Sequence, residues 1–424
     1  MAQVKKWHKL DNTAHLFPVI ASRRMTNVFR MTAVLTEDVA PQLLQQALED
    51  TLPLFAAFSV RLRHGLFWSY LEQNDAPARL QPEQDAPCRY IDPLVTGRYL
   101  FRLLYFGPRI SLETFHVLTD GVGAMRFLKA LCYRYLQLAH PGEVPRGTRF
   151  GVEQAGNVQD GYIKHYTPQK NWSTYRETPA YRIRGELRPS FELGVCTALM
   201  PLDALKAQCA GLGASVGEYL AALLALAVYE EHMPAAGSTR PVSIFVPVDL
   251  RRVFGTDTSA NFFSGFSARV PFSGPRAPEE VIRILKPQFA EKKTPAAFRD
   301  KLAYTARSEV DLAIRMVPLP VKNGILRIIY QRSNRGSTMT LSNLGKVDVE
   351  PDFAPFFAGF RFLLGATPGE PLKCTACSYQ TPSGPQLALT MTSLLTGTAA
   401  ARNIVRRLTA AGVPVTIESA GETE

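Results

Sequence analysis

The stretch RISLETFHVLTDGVGAMRFL, residues 109–128, constrains the fold more than any other part of the chain. Ile110, Leu112, Thr114 and Phe115 follow the short, roughly alternating period of a β-strand, whereas Met125, Phe127, Leu128, Leu131 and Leu138 recur with helical spacing. Gly121 and Gly123 mark the change. His116 and Asp120 therefore fall on the turn between a strand and a helix, where side chains are held rigidly and still reach a cleft. Histidine has an unperturbed pKa near neutrality, which suits it to taking a proton and returning it. Asp120 either holds the loop in shape or pairs with a cation. A satisfied histidine at a strand end is the plain alternative for a lone His; the H-x-x-x-D-G spacing counts against it.

These residues resemble a known family. His116, Val117, Leu118, Thr119, Asp120 and Gly121 are similar to the H-x-x-x-D-G motif of the chloramphenicol acetyltransferase-like superfamily. That group includes nonribosomal-peptide condensation domains, plant acyltransferases, wax ester synthases, and bacterial and yeast alcohol acetyltransferases. Many members carry a second His just before the catalytic one; Phe115 stands there in this chain, a departure shared by several ester-forming branches. The D-F-G-W-G motif of the plant branch is absent, and the resemblance is best to bacterial alcohol acetyltransferase-like proteins.

The resemblance continues in order over about residues 20–410. SVGEYLAALLALAVYEEH, residues 215–232, looks like the apolar helix of the second lobe. PVDLRR, residues 247–252, resembles the segment whose arginine pairs with the motif aspartate, which makes Arg251 the implied partner of Asp120. A cation is what a semi-buried carboxylate needs, because an unpaired one is costly or protonated. A solvated surface arginine is the competing reading, and it suits Arg252 better. TSANFFSGFSARV, residues 258–270, follows that arginine, and TLSNLGKV, residues 340–347, resembles an S-N-x-G loop. On a loop between lobes, Ser342 and Asn343, and less directly Asn261, become candidates to hydrogen-bond a developing oxyanion. A turn with an Asx-type cap is the alternative for them.

A chain of 424 residues is long enough for two or three domains, and its 46% apolar and 20% charged content is that of a globular protein. The net charge of +11 favours anionic partners: nucleic acid, an anionic membrane surface, a phosphorylated cofactor or an acidic carrier protein. No basic stripe interleaved with aromatics is present, which argues against nucleic acid. MAQVKKWHKLDN at the N-terminus has no apolar core of a signal peptide. The longest strongly apolar run, residues 219–229, is far short of the ~20 residues that span a bilayer, so a cytoplasmic protein without a membrane span is expected. Six cysteines in a chain this long do not make a disulfide scaffold. Cys374 and Cys377 form a lone C-x-x-C within LKCTACSY, a strand pattern that points residues three apart to opposite faces. Two ordinary strand cysteines and no metal is the expectation.

Along the chain, residues 27–35 read as a strand, and Asp38 reads as the cap of a helix with Pro41 in its first turn. A hairpin over residues 58–71 turns at His64-Gly65. Strands at 99–106 and 110–115 are separated by Gly107-Pro108. Residues 139–189 lose periodicity and read as a crossover or lid. Its aromatics Tyr162, Tyr166, Trp172, Tyr175 and Tyr181 either line a substrate pocket or anchor the crossover. The second half alternates again: strand 191–200, helix 201–210, and a helix over 215–232 capped by Ser215 with Glu218 three residues on. Strands at 240–248 and 261–272, a helix at 278–292, and a helical stretch 303–332 broken at Pro318 and Pro320 follow. A hairpin of 372–379 with 386–393 and a helix through Arg407 close the chain.

The expected fold is α/β, with two chloramphenicol acetyltransferase-like lobes of mixed sheet flanked by helices around a central cleft or tunnel. Residues 1–138 form one lobe, 139–190 the crossover, and 191–424 the other lobe. The resemblance implies an acyltransferase in which His116, supported by Asp120 and Arg251, moves an acyl group from a thioester to a hydroxyl. No bound cofactor is expected; acyl-CoA or an acidic acyl carrier protein is the co-substrate, a small-molecule alcohol or amine the acceptor, and a monomer the working form. Amide formation on carrier-bound substrates, and a non-catalytic binding protein of the same fold, are the alternatives.

Overall fold

The computed structural model describes residues 6–147, 152, 156–168 and 178–419. In chain order the first part holds β1 (Trp7–Lys9), α1 (Phe17–Ile20), β2 (Val28–Leu35), α2 (Pro41–Thr51), β3 (Val60–His64), β4 (Ser69–Gln73), β5 (Leu80–Pro82), β6 (Phe101–Phe106), β7 (Arg109–Phe115), α3 (Gly121–Ala139) and α4 (Gly161–Lys164). There follow β8 (Gly194–Pro201), α5 (Leu202–Gly211), α6 (Val216–Ala236), β9 (Val242–Asp249), α7 (Arg251–Phe254), β10 (Phe263–Val270), α8 (Pro278–Lys292), α9 (Pro295–Val310), α10 (Leu312–Arg315) and α11 (Leu319–Ser333). The chain ends with β11 (Met339–Val347), β12 (Phe357–Leu364), β13 (Leu372–Thr381), β14 (Gly384–Ser393), α12 (Ala399–Ala410) and β15 (Thr416–Ser419).

A five-stranded sheet in the order β12-β2-β7-β6-β5 and a seven-stranded sheet in the order β10-β9-β11-β13-β14-β8-β15 carry the two lobes. β7 lies at the centre of the first, paired antiparallel to β2 and β6, with five of its seven residues buried. α3 packs its Phe127 against Phe55, Phe58 and Phe101, with the Phe58 and Phe127 rings stacked at 4.1 Å. The second sheet is mixed: β11 runs parallel to both β9 and β13, and the other pairs are antiparallel. α6 is apolar on every side and is buried from Tyr219 to Val228, as a helix without a polar face must be. Ser215 and Glu218 cap it reciprocally. The β3–β4 hairpin forms a separate three-stranded sheet with β1.

Several expectations change. β12 lies far along the C-terminal stretch but pairs with β2, from Phe357 opposite Leu35 to Leu364 opposite Phe29. The stretch 191–424 is therefore not one self-contained lobe. Neither β11 nor β12 was expected as a strand: β11 reads as a loop because Asn343 and Gly345 interrupt it, and the structure puts a register shift there. Asp38 does not cap α2; Ala40 is the N-cap residue, and its N–H is taken by the Tyr135 hydroxyl at 2.9 Å. The crossover aromatics anchor it. The Tyr162 hydroxyl exchanges hydrogen bonds with the Phe263 backbone, Tyr181 donates to His232 O at 2.9 Å, and Tyr166 packs part-buried against the second core. Trp172 and Tyr175 lie outside the described residues. Cys374 and Cys377 face opposite sides of β13, one in each lobe's core.

The free edge of β12 is covered by the other sheet. Thr375 Oγ1 donates to Phe362 O, Thr392 Oγ1 donates to Leu364 O at 2.8 Å, and the Tyr379 hydroxyl accepts from Arg361 at 3.0 Å. Backbone groups that would otherwise invite another chain are thus spent internally. Gly359 makes the approach possible, since a Cβ there would sit 2.7 Å from Cζ of Tyr379. Gly359→Ala should lower unfolding free energy by about 1–3 kcal/mol through overpacking. Gly274→Ala, with nothing within 4 Å of its Cβ position, should leave the urea midpoint unchanged.

Candidate active site

β7 delivers His116 immediately past its last residue, and the His116 N–H is fixed by Asn27 O at 3.0 Å. The imidazole is half-buried among three rings: Phe17 stacked at 4.5 Å, Phe29 edge-on at 5.0 Å and Phe263 at 5.3 Å. Its Nδ1 lies 3.0 Å from Asn261 Oδ1. The Asn261 amide has no freedom to flip, because Nδ2 donates to His116 O at 3.1 Å and to Asp11 Oδ2 at 2.9 Å. A carbonyl oxygen can only accept, so Oδ1 is the atom facing the ring and Nδ1 must carry the hydrogen. In the neutral ring the lone pair is then on Nε2. Burial lowers the His116 pKa, and the opposing pull of Asp120 and Asn261 does not restore it, so the ring is neutral at pH 7.

Asp11 anchors this chain of contacts. Besides Asn261 it accepts from Ala14 N at 2.9 Å, which ties the segment leading to Phe17 to the same carboxyl. Complete burial, with the Asp160 charge adding to it, pushes its pKa up to about 7 against the lowering effect of these hydrogen bonds.

Asp120 is the N-cap of α3, its Oδ1 accepting from Val122 N and Gly123 N at 3.2 Å. The same carboxylate is gripped by Arg251 through Nη1 at 2.8 Å and Nη2 at 3.0 Å, and Phe262 N donates to it at 2.9 Å. Arg251 gives its remaining N–H groups to Thr258 O, Ala260 O and Asp249 Oδ1. Both side chains are more than nine-tenths buried. Burial alone would raise the Asp120 pKa; the Arg251 charge and these hydrogen bonds overcome it and hold the carboxyl below its usual range. Asp120 thus holds its loop in shape and also pairs with a cation. Thr119 Oγ1 donates to Ser259 O at 2.6 Å, and α3 passes so close that a Cβ on Gly123 would lie 1.9 Å from that hydroxyl oxygen.

The other candidates are placed differently. Asn261 has both amide hydrogens committed, so it orients His116 and has no donor for an oxyanion. Asn343 is exposed, and its Oδ1 accepts from Gly345 N at 2.9 Å, the Asx-type turn. Ser342 is half-buried opposite Thr375. From the same segment it is Leu344 that reaches the motif, 3.3 Å from the Cβ position of Gly121. Asp11, Phe17, Phe29 and Phe263 were not singled out. Asp11 lies 250 positions from Asn261, and only the double Phe after Asn261 hints at rings around the histidine. Cavities of about 310 Å³ and 360 Å³ are present. Their linings, one near Arg184, His232 and α12, the other near His165 and Arg299, do not include His116.

No protein-family model matches the sequence, and no curated protein is significantly similar to it. The fold does have known relatives. TRI101 of F. sporotrichioides, solved with coenzyme A and T-2, superposes with a TM-score of 0.63 at 10% identity, over 98% of this chain and 100% of its own. The first condensation domain of the CDA synthetase gives 0.58 at 14% identity, with 97% of each chain covered. The wax ester synthase/diacylglycerol acyltransferase from Marinobacter aquaeolei VT8 gives 0.57 at 14% identity, covering 96% and 100%. The chain shares the α/β fold of these structures, the fold that the sequence resemblance implies.

Removing Arg251 strands a buried carboxylate and three carbonyl or carboxyl acceptors, so Arg251→Ala should cost about 3–5 kcal/mol in unfolding free energy. Arg251→Lys, which keeps the charge but not the two-pronged grip, should recover only part of that. A Tm equal to that of the wild type would show that the pair does not hold the lobes.

Proposed function

We propose that this protein is an acyltransferase that moves an acyl group from a thioester, on coenzyme A or an acyl carrier protein, to a hydroxyl of a small-molecule acceptor. The reading rests on one observation: a neutral, ring-enclosed histidine whose Nδ1 hydrogen is fixed by Asn261, leaving Nε2 as the basic nitrogen. Such a nitrogen takes the acceptor hydroxyl proton as that oxygen attacks the thioester carbonyl. Collapse of the tetrahedral species breaks the C–S bond, and the imidazolium returns its proton to the leaving thiolate. No covalent enzyme intermediate is needed: the G-x-S-x-G match at residues 213–217 lies between helices α5 and α6 and not on a strand-to-helix turn, and its Ser215 is spent capping α6.

Asp120 and Arg251 act by holding the histidine loop, with the negative charge of Asp120 easing the transient imidazolium. Ser342 is the oxyanion donor we favour among the three sequence candidates. It shares a strand with Leu344, which meets Gly121, and it pairs with Thr375, whose hydroxyl faces β12. The acyltransferases and condensation domain among the structural relatives support acyl transfer in general, and TRI101 solved with coenzyme A supports a CoA thioester donor.

Release of free thiol from acetyl-CoA and longer acyl-CoAs, measured with a panel of alcohols and amines, tests the reading. Acceptor-dependent release should fall by about 10²- to 10⁴-fold or more in His116→Ala, with Tm unchanged. Release that does not need His116 would remove the mechanism. The pH profile carries a second test. Because the neutral ring is the active form and burial lowers its pKa, the acid limb of kcat/KM should have its midpoint below the ordinary histidine value of 6.5. An acid limb above the ordinary histidine value would contradict the enclosed base.

A further inference from the structure

α11 presents an apolar stripe to solvent. Ile325, Ile328 and Ile329 follow Val321 by four, seven and eight positions and form a single stripe with it, and each of the four is between 51% and 55% exposed. No residue of this 15-residue helix is buried. Lys322 Nζ donates to Phe67 O and Arg315 O at 2.9 Å, and the exposed Arg327 donates from Nε to Val19 O at 2.9 Å, so the helix is held to its neighbours while the stripe faces solvent. A helix on a protein surface ordinarily does the opposite.

The stripe is widened by its neighbours. Ile314 and Met316 beside α10 are exposed, as are Leu66 and Trp68 at the tip of the β3–β4 hairpin. Leu319 N donates to Leu66 O at 2.8 Å, which fixes that tip beside the start of α11. An apolar surface assembled from three elements marks a contact site.

Charge selects the occupant. Residues 312–336 contain Arg315, Lys322, Arg327, Arg332 and Arg335 and no Asp or Glu. A second copy of the chain, meeting this face about a two-fold axis, would set five cations against five. An anionic lipid surface attracts all five, and its headgroup–acyl boundary accepts an apolar stripe that stands proud on one helix. Among the described residues no single helix is long and apolar enough to cross a membrane, so the contact is a surface one. We propose that α10, α11 and the β3–β4 tip form a docking face for an anionic membrane. The face lies over α1, whose Phe17 covers His116, so docking sets the site against the bilayer.

Co-sedimentation of the full chain with vesicles tests this. Binding is expected to vesicles of phosphatidylcholine with about 30 mol% phosphatidylglycerol, to weaken with salt, and to be far weaker with phosphatidylcholine alone. The triple variant Ile325→Ser, Ile328→Ser, Ile329→Ser should lower the partition ratio more than about ten-fold. Arg332→Gln and Arg335→Gln should each lower it about five-fold. All five positions are exposed, and an unchanged Tm checks that the variants fold. In the unaltered protein, brominated phosphatidylglycerol should quench Trp68, and the quenching should vanish in Trp68→Phe. No sedimentation of the wild type with anionic vesicles overturns the proposal. So does equal binding by the triple variant, a wild-type dimer that this variant converts to monomer without vesicle binding, or capture of an acidic carrier protein but not of vesicles.

Discussion

The Asp120–Arg251 pair is the interaction on which the rest of the arrangement depends. One carboxylate caps α3, closes the histidine loop and receives an arginine from the opposite lobe, together with a backbone N–H from the segment after it. One guanidinium satisfies a carboxylate on each lobe and two carbonyls of the 258–260 turn. Burying two charges is repaid only when every hydrogen-bonding position is filled, and here all five guanidinium N–H groups have acceptors. That completeness makes the pair a positioning device: the loop carrying His116 and the turn leading to Asn261 and Phe263 have one relative placement that satisfies both ions.

His116 itself is held by weaker means acting together. Three rings fix its plane, Asn261 fixes its hydrogen, and Asp11 fixes Asn261. The same rings that orient the imidazole also strip it of water, which is why its pKa falls although a carboxylate is close by. In the proposed reaction, a base tuned this way gives up some basicity in return for being unprotonated whenever a substrate arrives. The N-terminal segment enters the candidate site twice, through Asp11 and through Phe17, so it helps to build that site.

Local patterns in the sequence carried much of this. The strand, glycines and helix around His116 were legible because period, turn chemistry and motif agreed within twenty residues, and the α6 cap was legible for the same reason. Arg251 came through family resemblance and the need of a carboxylate for a cation. What sequence could not supply was pairing at a distance. Asp11 meets Asn261 across 250 positions, β12 joins a sheet whose other strands end before residue 116, and no local period announces either. The oxyanion candidates illustrate a different failure. Asn261 has a donor group in the right place, but its hydrogens are already committed, and only a full account of hydrogen-bond partners reveals that.

The passage of β12 into the first sheet bears on how such a protein can be cut. A gene divided within the crossover would yield one chain lacking an edge strand beside β2 and another carrying an orphan strand with an open backbone edge. Each half would be sticky by itself, yet each holds what the other lacks. The β2–β12 ladder would thus be the seam along which two such halves meet, and the histidine loop, whose Asp120 needs Arg251 from the second half, would be complete only once they had.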